Sequence, residues 1–298
     1  ASSRSRIGRR LSPLLYRAGS WVAQALPPHA AVSVTAPLGA ALALALPARR
    51  RVVARHLRRV HGGAPGRGST RRAFDSYARY WIESFRLPGL SGAEIDAGMW
   101  AQGLDHLRTA LAAGNGAILA LPHLGGWDFG GAWLARRGHP LAVVVEPVEP
   151  PELLAWFSDL RAGVGLTVIP LGPSAGPAVL QALRANRAVA LLCDRDIGGG
   201  GAEVEFFGER TTLPAGPVTL ALRSGAAVLP TAVYFEGRHG HRGVVGPPLT
   251  MERRGRLRDD VDRLTQDLAN ELESLIRAAP DQWHVFQPNW PSDPGYRA

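Results

Sequence analysis

The sequence predicts an α/β domain: a central, mostly parallel sheet flanked by helices, with an N-terminal helical membrane-associating segment. Three observations predict it. Five short runs, at 116–121, 141–146, 166–171, 188–193 and 226–235, are apolar nearly throughout, as strands covered on both faces are. Stretches with helical periodicity separate them. The basic residues are crowded at one end. All 34 Lys+Arg residues are arginine, and fourteen precede Asp75, the first acid; with a total of +9, the rest of the chain nets −5.

At 298 residues and 46% hydrophobic, the chain has enough apolar material for one sizeable core. A single domain over 1–298 is expected, with a basic helical region at 1–87 and the α/β core at 101–298. One cysteine, Cys193, excludes an intrachain disulfide and a Cys-based zinc cluster. The first sixty residues hold eleven arginines and no acid. Between the arginines lie "LSPLLYRAGSWVAQAL" and "AAVSVTAPLGAALALAL". The second is 17 residues long and interrupted by Pro37 and Gly39, whereas a spanning helix needs roughly 20 apolar residues. The expectation is a peripheral layer on an anionic membrane surface, with apolar faces in the acyl boundary and arginines on headgroups. An ordinary helical cap with a solvated basic face fits the same pattern. Neither a signal peptide nor a transmembrane segment is read, and no nucleic-acid-binding module is recognisable.

The elements follow in order. "RRAFDSYARYWIESFRL" reads as a helix, separated by "HGGAPGRGST" from the helices before it. "GAILAL" is a strand, "DFGGAWLARRG" a helix ending at Gly138, and "LAVVVE" a strand. "PELLAWFSDLRAGVG" is a helix with Pro151 near its start and Gly163 near its end. "LTVIPL", "GPAVLQALRANR", "AVALLC", "LPAGPVTLALRSG" and "AAVLPTAVYF" continue the alternation. Val261, Leu264, Leu268, Leu272 and Leu275 then mark one face of a long amphipathic helix.

Ligands of such sheets bind beyond the carboxyl ends of strands. His123 and Asp128 sit just past one, in "LPHLGGWDFGGAW". Taken singly, Asp128 reads as a helix-capping carboxylate and His123 as a ring satisfied by a loop carbonyl. As a pair they read as catalytic. A tight Gly125–Gly126 turn is expected to let Asp128 reach one ring nitrogen of His123, leaving the other as a base of fixed tautomer. Glu146, Asp194, Arg195 and Asp196 also follow strand ends, and are expected to aim at the same crevice. Glu203 and Glu205 lie on "GGGGAEVEFFGE", read as a mobile loop over the pocket. His239 and His241 read as an exposed hairpin, Cys193 as a buried core residue, and "QWHVFQPNW" as a core-sealing segment. No metal set is evident among the nine histidines.

Four blocks carry a resemblance: "LPHLGGWDFGGAWL", "VVVEPVEPPELLAWFSDLRAGVGLTVIPLG", "AVALLCDRDIGGGGAEVEFFGERTTLPAGPVTLALRSGAAVLP" and "DQWHVFQPNW". In that order they resemble the lipid A late-acyltransferase family over essentially the whole chain, within it most closely the actinobacterial members that acylate phosphatidylinositol mannosides. The resemblance implies transfer of a long acyl chain, palmitoyl by expectation, from acyl-CoA to a mannose hydroxyl of a mannosylated phosphatidylinositol. The enzyme would sit on the cytoplasmic face of the cell membrane. It implies His123 as general base and Asp128 as its orienter. Arg161 matches a family arginine and is expected, with Glu146, Asp194, Arg195 and Glu203, to bind substrate. No cofactor is expected besides acyl-CoA as donor substrate, and no metal, because a thiolate leaves readily. A sixteen-carbon chain needs an apolar groove, at roughly 0.8 kcal/mol for each buried CH₂. Trp127, Phe129 and Trp133 are expected as its walls, with Trp156 and Phe157 nearby; all five could equally be core. Acyl transfer to another glycolipid or to a lysophospholipid, and a non-catalytic basic membrane-binding protein, stay open as alternatives.

Overall fold

The computed structural model describes residues 16–147 and 150–296. Arg4, Arg6, Arg9 and Arg10 of the basic segment lie outside the described residues. The N-terminal region is helical: α1 (16–25), α2 (Pro28–Ser33), α3 (Thr35–Ala45), α4 (Pro47–His61), α5 (Ser69–Arg86) and α6 (Gly92–Ala97). The core follows as β1 (Met99–Gln102), α7 (Leu104–Ala112), β2 (Ala117–Leu121), α8 (Trp127–Arg136), β3 (Leu141–Val145), α9 (Pro151–Ala162), β4 (Leu166–Pro170), α10 (Ala175–Arg184) and β5 (Ala188–Leu192). A hairpin of β6 (Ala202–Phe206) and β7 (Glu209–Leu213) precedes α11 (Gly216–Ser224), β8 (Ala227–Glu236), β9 (Gly240–Val245) and α12 (Leu257–Ala278).

Seven strands form the main sheet in the order β1-β9-β8-β2-β5-β3-β4. The run β8-β2-β5-β3-β4 is parallel throughout, while β9 is antiparallel to β8 and pairs parallel with β1. All five predicted apolar strands are present. Alternate residues of each strand serve opposite faces. Ile118, Ala120, Val189 and Val228 pack with Val179, Leu183, Leu268 and Leu272 under α10 and α12. Ala117, Leu119 and Leu229 pack with Leu107 and Trp133 under α7 and α8. Burial on both sides is why these strands read as continuous apolar runs.

The N-terminal helices pack on this unit through their own cluster, in which Val53, Leu57 and Phe74 meet Phe286. Among the described residues no single helix is long and apolar enough to cross a bilayer. Ala30–Ala45 and Pro47–His61 together would have the length, but they meet at a bend of 105°. Pro47 at the first position of α4 breaks the run there.

The predicted loop over the pocket is in part a regular hairpin. Ala202, Val204 and Phe206 point inward while Glu203 and Glu205 point to solvent. Phe207 (φ 52°) and Gly208 (φ 76°) turn the chain between its strands, a two-residue connection with positive φ at both positions.

Candidate active site

The loop after β2 is folded by close backbone approach. Gly125 has φ of +61° and donates its N–H to the Gln282 carbonyl at 2.9 Å. Any Cβ there would lie 2.0 Å from the Val233 carbonyl oxygen, so only glycine fits. Gly126 N–H donates to that same carbonyl at 2.9 Å. This turn starts α8 and leaves His123 at the head of the sheet.

The ring partner of His123 is Asp194, not Asp128. β2 and β5 are neighbours, with Leu121 in register with Leu192. His123 and Asp194 each lie two residues beyond that matched pair, so the register itself brings them together. His123 Nδ1 lies 2.6 Å from Asp194 Oδ1, and the His123 backbone N–H donates to Oδ2 at 2.8 Å. Trp283 Nε1–H donates to the same Oδ2 at 2.6 Å. Burial of Asp194 would raise its pKa; the His123 charge, then the hydrogen bonds from His123 and Trp283, outweigh it and hold the carboxyl below the usual range. The His123 side chain is 20% exposed, so its other nitrogen remains reachable.

Asp128 serves a different cluster. The first turn of α8 presents it to α5 and α9, where Arg161 holds it with two bonds, Nε to Oδ1 at 2.9 Å and Nη2 to Oδ2 at 3.1 Å. Tyr80 Oη–H and Ser84 Oγ–H donate to Oδ2 at 2.9 and 3.3 Å. Trp127 stands between the two carboxylates' networks: its ring stacks on Tyr80 at 4.0 Å and meets His123 edge-on at 5.6 Å. Arg161 is pushed above its usual value, because attraction to Asp128 exceeds the cost of its burial. The family arginine is therefore tied to the motif aspartate.

Of the other expected residues, Glu146 and Arg195 form an ion pair at 2.7 Å at the cavity rim. Glu203 lies on the outer face of β6, opposite Thr212, and does not line the cavity. Phe129 is turned away as well: it stacks on His241 at 4.0 Å, beneath Gly98. His241 itself is buried rather than exposed, held between Glu83 at 2.7 Å and the Gly98 carbonyl at 3.1 Å. Trp127, Trp133, Phe157, Arg161 and Asp196 line the cavity; Trp156 packs on Phe85 and Phe157 instead. The cavity measures about 870 Å³ and runs from His123 along Leu119, Leu121, Leu134 and Leu166, with the glycine run 198–201 on another wall. Among the described residues no group of three or more His, Cys, Asp or Glu side chains could hold a metal ion.

Sequence reasoning missed Tyr80, Ser84, Trp283, His284 and Asn289. His284 donates its backbone N–H to the His123 carbonyl at 2.7 Å and contacts Ser76 Oγ through Nε2 at 2.9 Å. Burial, then the His123 charge, push its pKa down to about 3. His56, also buried, is lowered by burial too. His284 stays neutral when folded and gains a proton on unfolding, so its contribution is intact above the ordinary imidazole pKa and is lost as pH falls through the range from about 6.5 towards about 3. The melting temperature should therefore fall between about pH 6.5 and 4.5, before carboxylates titrate. Differential scanning fluorimetry across pH, with His284→Phe showing a shallower slope, checks this; identical slopes would exclude His284 as a source.

Fold and site together define an α/β protein in which an imidazole–carboxylate pair opens onto an apolar cavity at the ends of parallel strands. The chain belongs to the bacterial lipid A biosynthesis acyltransferase family, which it matches over residues 2–292. It is 37% identical over 302 residues to a phosphatidylinositol mannoside acyltransferase of Mycolicibacterium smegmatis, covering 98% of this chain and 95% of that one. A protein of the same name from Mycobacterium tuberculosis is 42% identical over 226 residues, covering 74% of this chain and 70% of its own. A lipid A biosynthesis acyltransferase of Haemophilus influenzae is 29% identical over 187 residues, covering 61% and 55%.

Proposed function

We propose that the chain transfers a long acyl group from acyl-CoA to a mannose hydroxyl of a phosphatidylinositol mannoside, with His123 as general base. The observation that carries this is the in-register His123–Asp194 pair at the head of the apolar cavity. The names of the mycobacterial relatives supply the acceptor class. The donor's acyl chain lies along Leu119, Trp133 and Leu166, and its thioester carbonyl stands beside His123. The acceptor oxygen attacks the carbonyl carbon as His123 Nε2 takes the hydroxyl proton. The C–O bond forms, the C–S bond breaks, and the proton passes from the imidazolium to the departing thiolate. Asp194 fixes the Nδ1–H tautomer and stabilises the imidazolium. Such a base supplies about 10²–10⁴-fold in rate. Asp128 acts behind it, holding Arg161 and, through Tyr80, the ring of Trp127. Purified protein incubated with acyl-CoA and a panel of mannosylated phosphatidylinositols and lysophospholipids, read by mass spectrometry, tests the reading. Acylated mannoside is expected; acylated lysophospholipid alone would overturn the acceptor.

The same reading places the protein on a membrane surface. Trp21, Val22, Leu38, Leu44 and Leu46 are exposed on the N-terminal helices, with Trp21 and Leu44 each more than 70% accessible. Arg50, Arg51 and Arg58 are exposed on α4. Protein bound to vesicles containing anionic lipid should therefore be released in large part by salt, since exposed charges are screened within about 3 Å at 1 M. Retention through both high salt and alkaline carbonate would contradict a peripheral attachment.

A further inference from the structure

We propose that residues 282–293 form a positioning strap for the catalytic pair, and that Trp283 sets the basicity of His123 through Asp194. The inference rests on His123 acting as the base. One segment holds both partners. His284 N–H donates to the His123 carbonyl at 2.7 Å, Trp283 Nε1–H to Asp194 Oδ2 at 2.6 Å, and Asn289 Nδ2–H to the Asp194 carbonyl at 3.0 Å. The Gln282 carbonyl accepts from Gly125, in the turn that carries His123. The Gln282 side chain bridges the Phe235 N–H and C=O at 2.7 and 3.1 Å, tying the strap to β8.

The strap is held from its far side by the arginine helix. The His56 ring lies between the Val285 carbonyl and Asp293 Oδ2, each at 3.0 Å. Asp293 also meets Arg59 at 2.9 Å and Arg55 at 3.2 Å, and Arg49 donates to the Phe286 carbonyl at 2.9 Å. The segment read from sequence as core sealing thus delivers three polar contacts to two residues.

The consequence follows from how a carboxylate distributes charge. Asp194 accepts from His123 Nδ1 on one oxygen, and from the His123 N–H and the indole N–H on the other. A strong donor on one oxygen draws charge away from the other. Without the indole N–H, more of the charge faces the imidazole and the imidazolium is favoured. The base is then loaded with a proton at a higher pH. The other charged and titratable groups around His123 are Asp128, Arg161 and Tyr80 behind Trp127, Glu146, Arg195 and Asp196 in the cavity, and His284 on the strap. Trp283→Phe leaves all of them in place.

The test is the pH profile of kcat/KM for acyl transfer. In Trp283→Phe the midpoint of the acid limb is expected to rise by about half a pH unit or more, with both KM values unchanged at the alkaline plateau. Placing 3-benzothienylalanine at position 283 keeps the bicycle and removes only the N–H; it should give the same shift if the phenylalanine variant does not fold. A limb that stays in place or moves down, whatever the melting temperature does, means that Trp283 only packs, and overturns the proposal. His123→Ala assayed alongside separates the two readings. A folded His123→Ala that keeps its rate removes the base itself, whereas an inactive one with an unmoved limb in the position-283 variants removes the strap's role alone.

Discussion

His123→Ala is expected to lose about 10²–10⁴-fold in acyl transfer while remaining folded. The ring faces a cavity rather than the core, and its removal empties no packed site. In the proposed mechanism the hydroxyl proton passes to His123, and a sugar hydroxyl does not ionise near neutrality without such a base. Asp194→Asn should fall in the same range, because an amide can donate to Nδ1 and so stabilise the wrong tautomer. Asp128→Asn should lose less, since Asp128 makes no contact with the ring. Turnover of acyl-CoA with a mannosylated acceptor, alongside circular dichroism, decides the matter. A folded His123→Ala holding more than about a tenth of the wild-type rate would rule out general-base catalysis here. Hydrolysis of the donor without acceptor should fall in parallel, since water would use the same base.

Arg161→Met should be the most destabilising single change around the site. It leaves Asp128 with two neutral donors and no cation, at a position where the carboxylate side chain is 7% exposed. Removing one partner of a buried ion pair costs about 3–5 kcal/mol. In a chain of this size that corresponds to a loss of about 5–8 °C in melting temperature. The double variant Asp128→Leu/Arg161→Met should recover much of it, since replacing both partners by apolar groups removes the uncompensated charge. Thermal melts of the three proteins measure this. An Arg161→Met protein that melts like wild type but loses substrate affinity would instead make Arg161 a substrate-binding residue.

The strands were legible because the central ones are buried on both faces and the edge strands stay largely apolar; the helices between them show their periodicity and their Pro and Gly ends. His123, Glu146, Asp194 and Arg195 were legible as residues just past strand ends. The pairing of His123 with Asp194 was not. It depends on β5 returning from beyond β4 to lie between β2 and β3, and no local pattern encodes strand order. The spacing of Asp128 drew attention to a neighbour five residues away, whereas the true partner lies 71 positions on. The β6–β7 hairpin did show its alternation in "AEVEF", but the four glycines before it drew the reading towards a loop. Phe129 and Glu203 were misplaced because which face of α8 or β6 meets the cavity is set by packing partners distant in sequence: His241 for the first, the α12 helix for the second.

The contact between His56 and Asp293 joins positions 237 residues apart, with the catalytic pair completed only by the later of the two segments. During translation the order of events is therefore fixed. Helices α3 and α4 leave the ribosome first, and His123 follows. At about 5–20 residues per second, Asp293 is added roughly ten to thirty seconds after His123. Until Trp283 and Asn289 are added, Asp194 lacks its indole donor and its backbone clamp. The hydrogen bonds that fix both His123 and Asp194 are thus completed among the last parts of the described chain to be made.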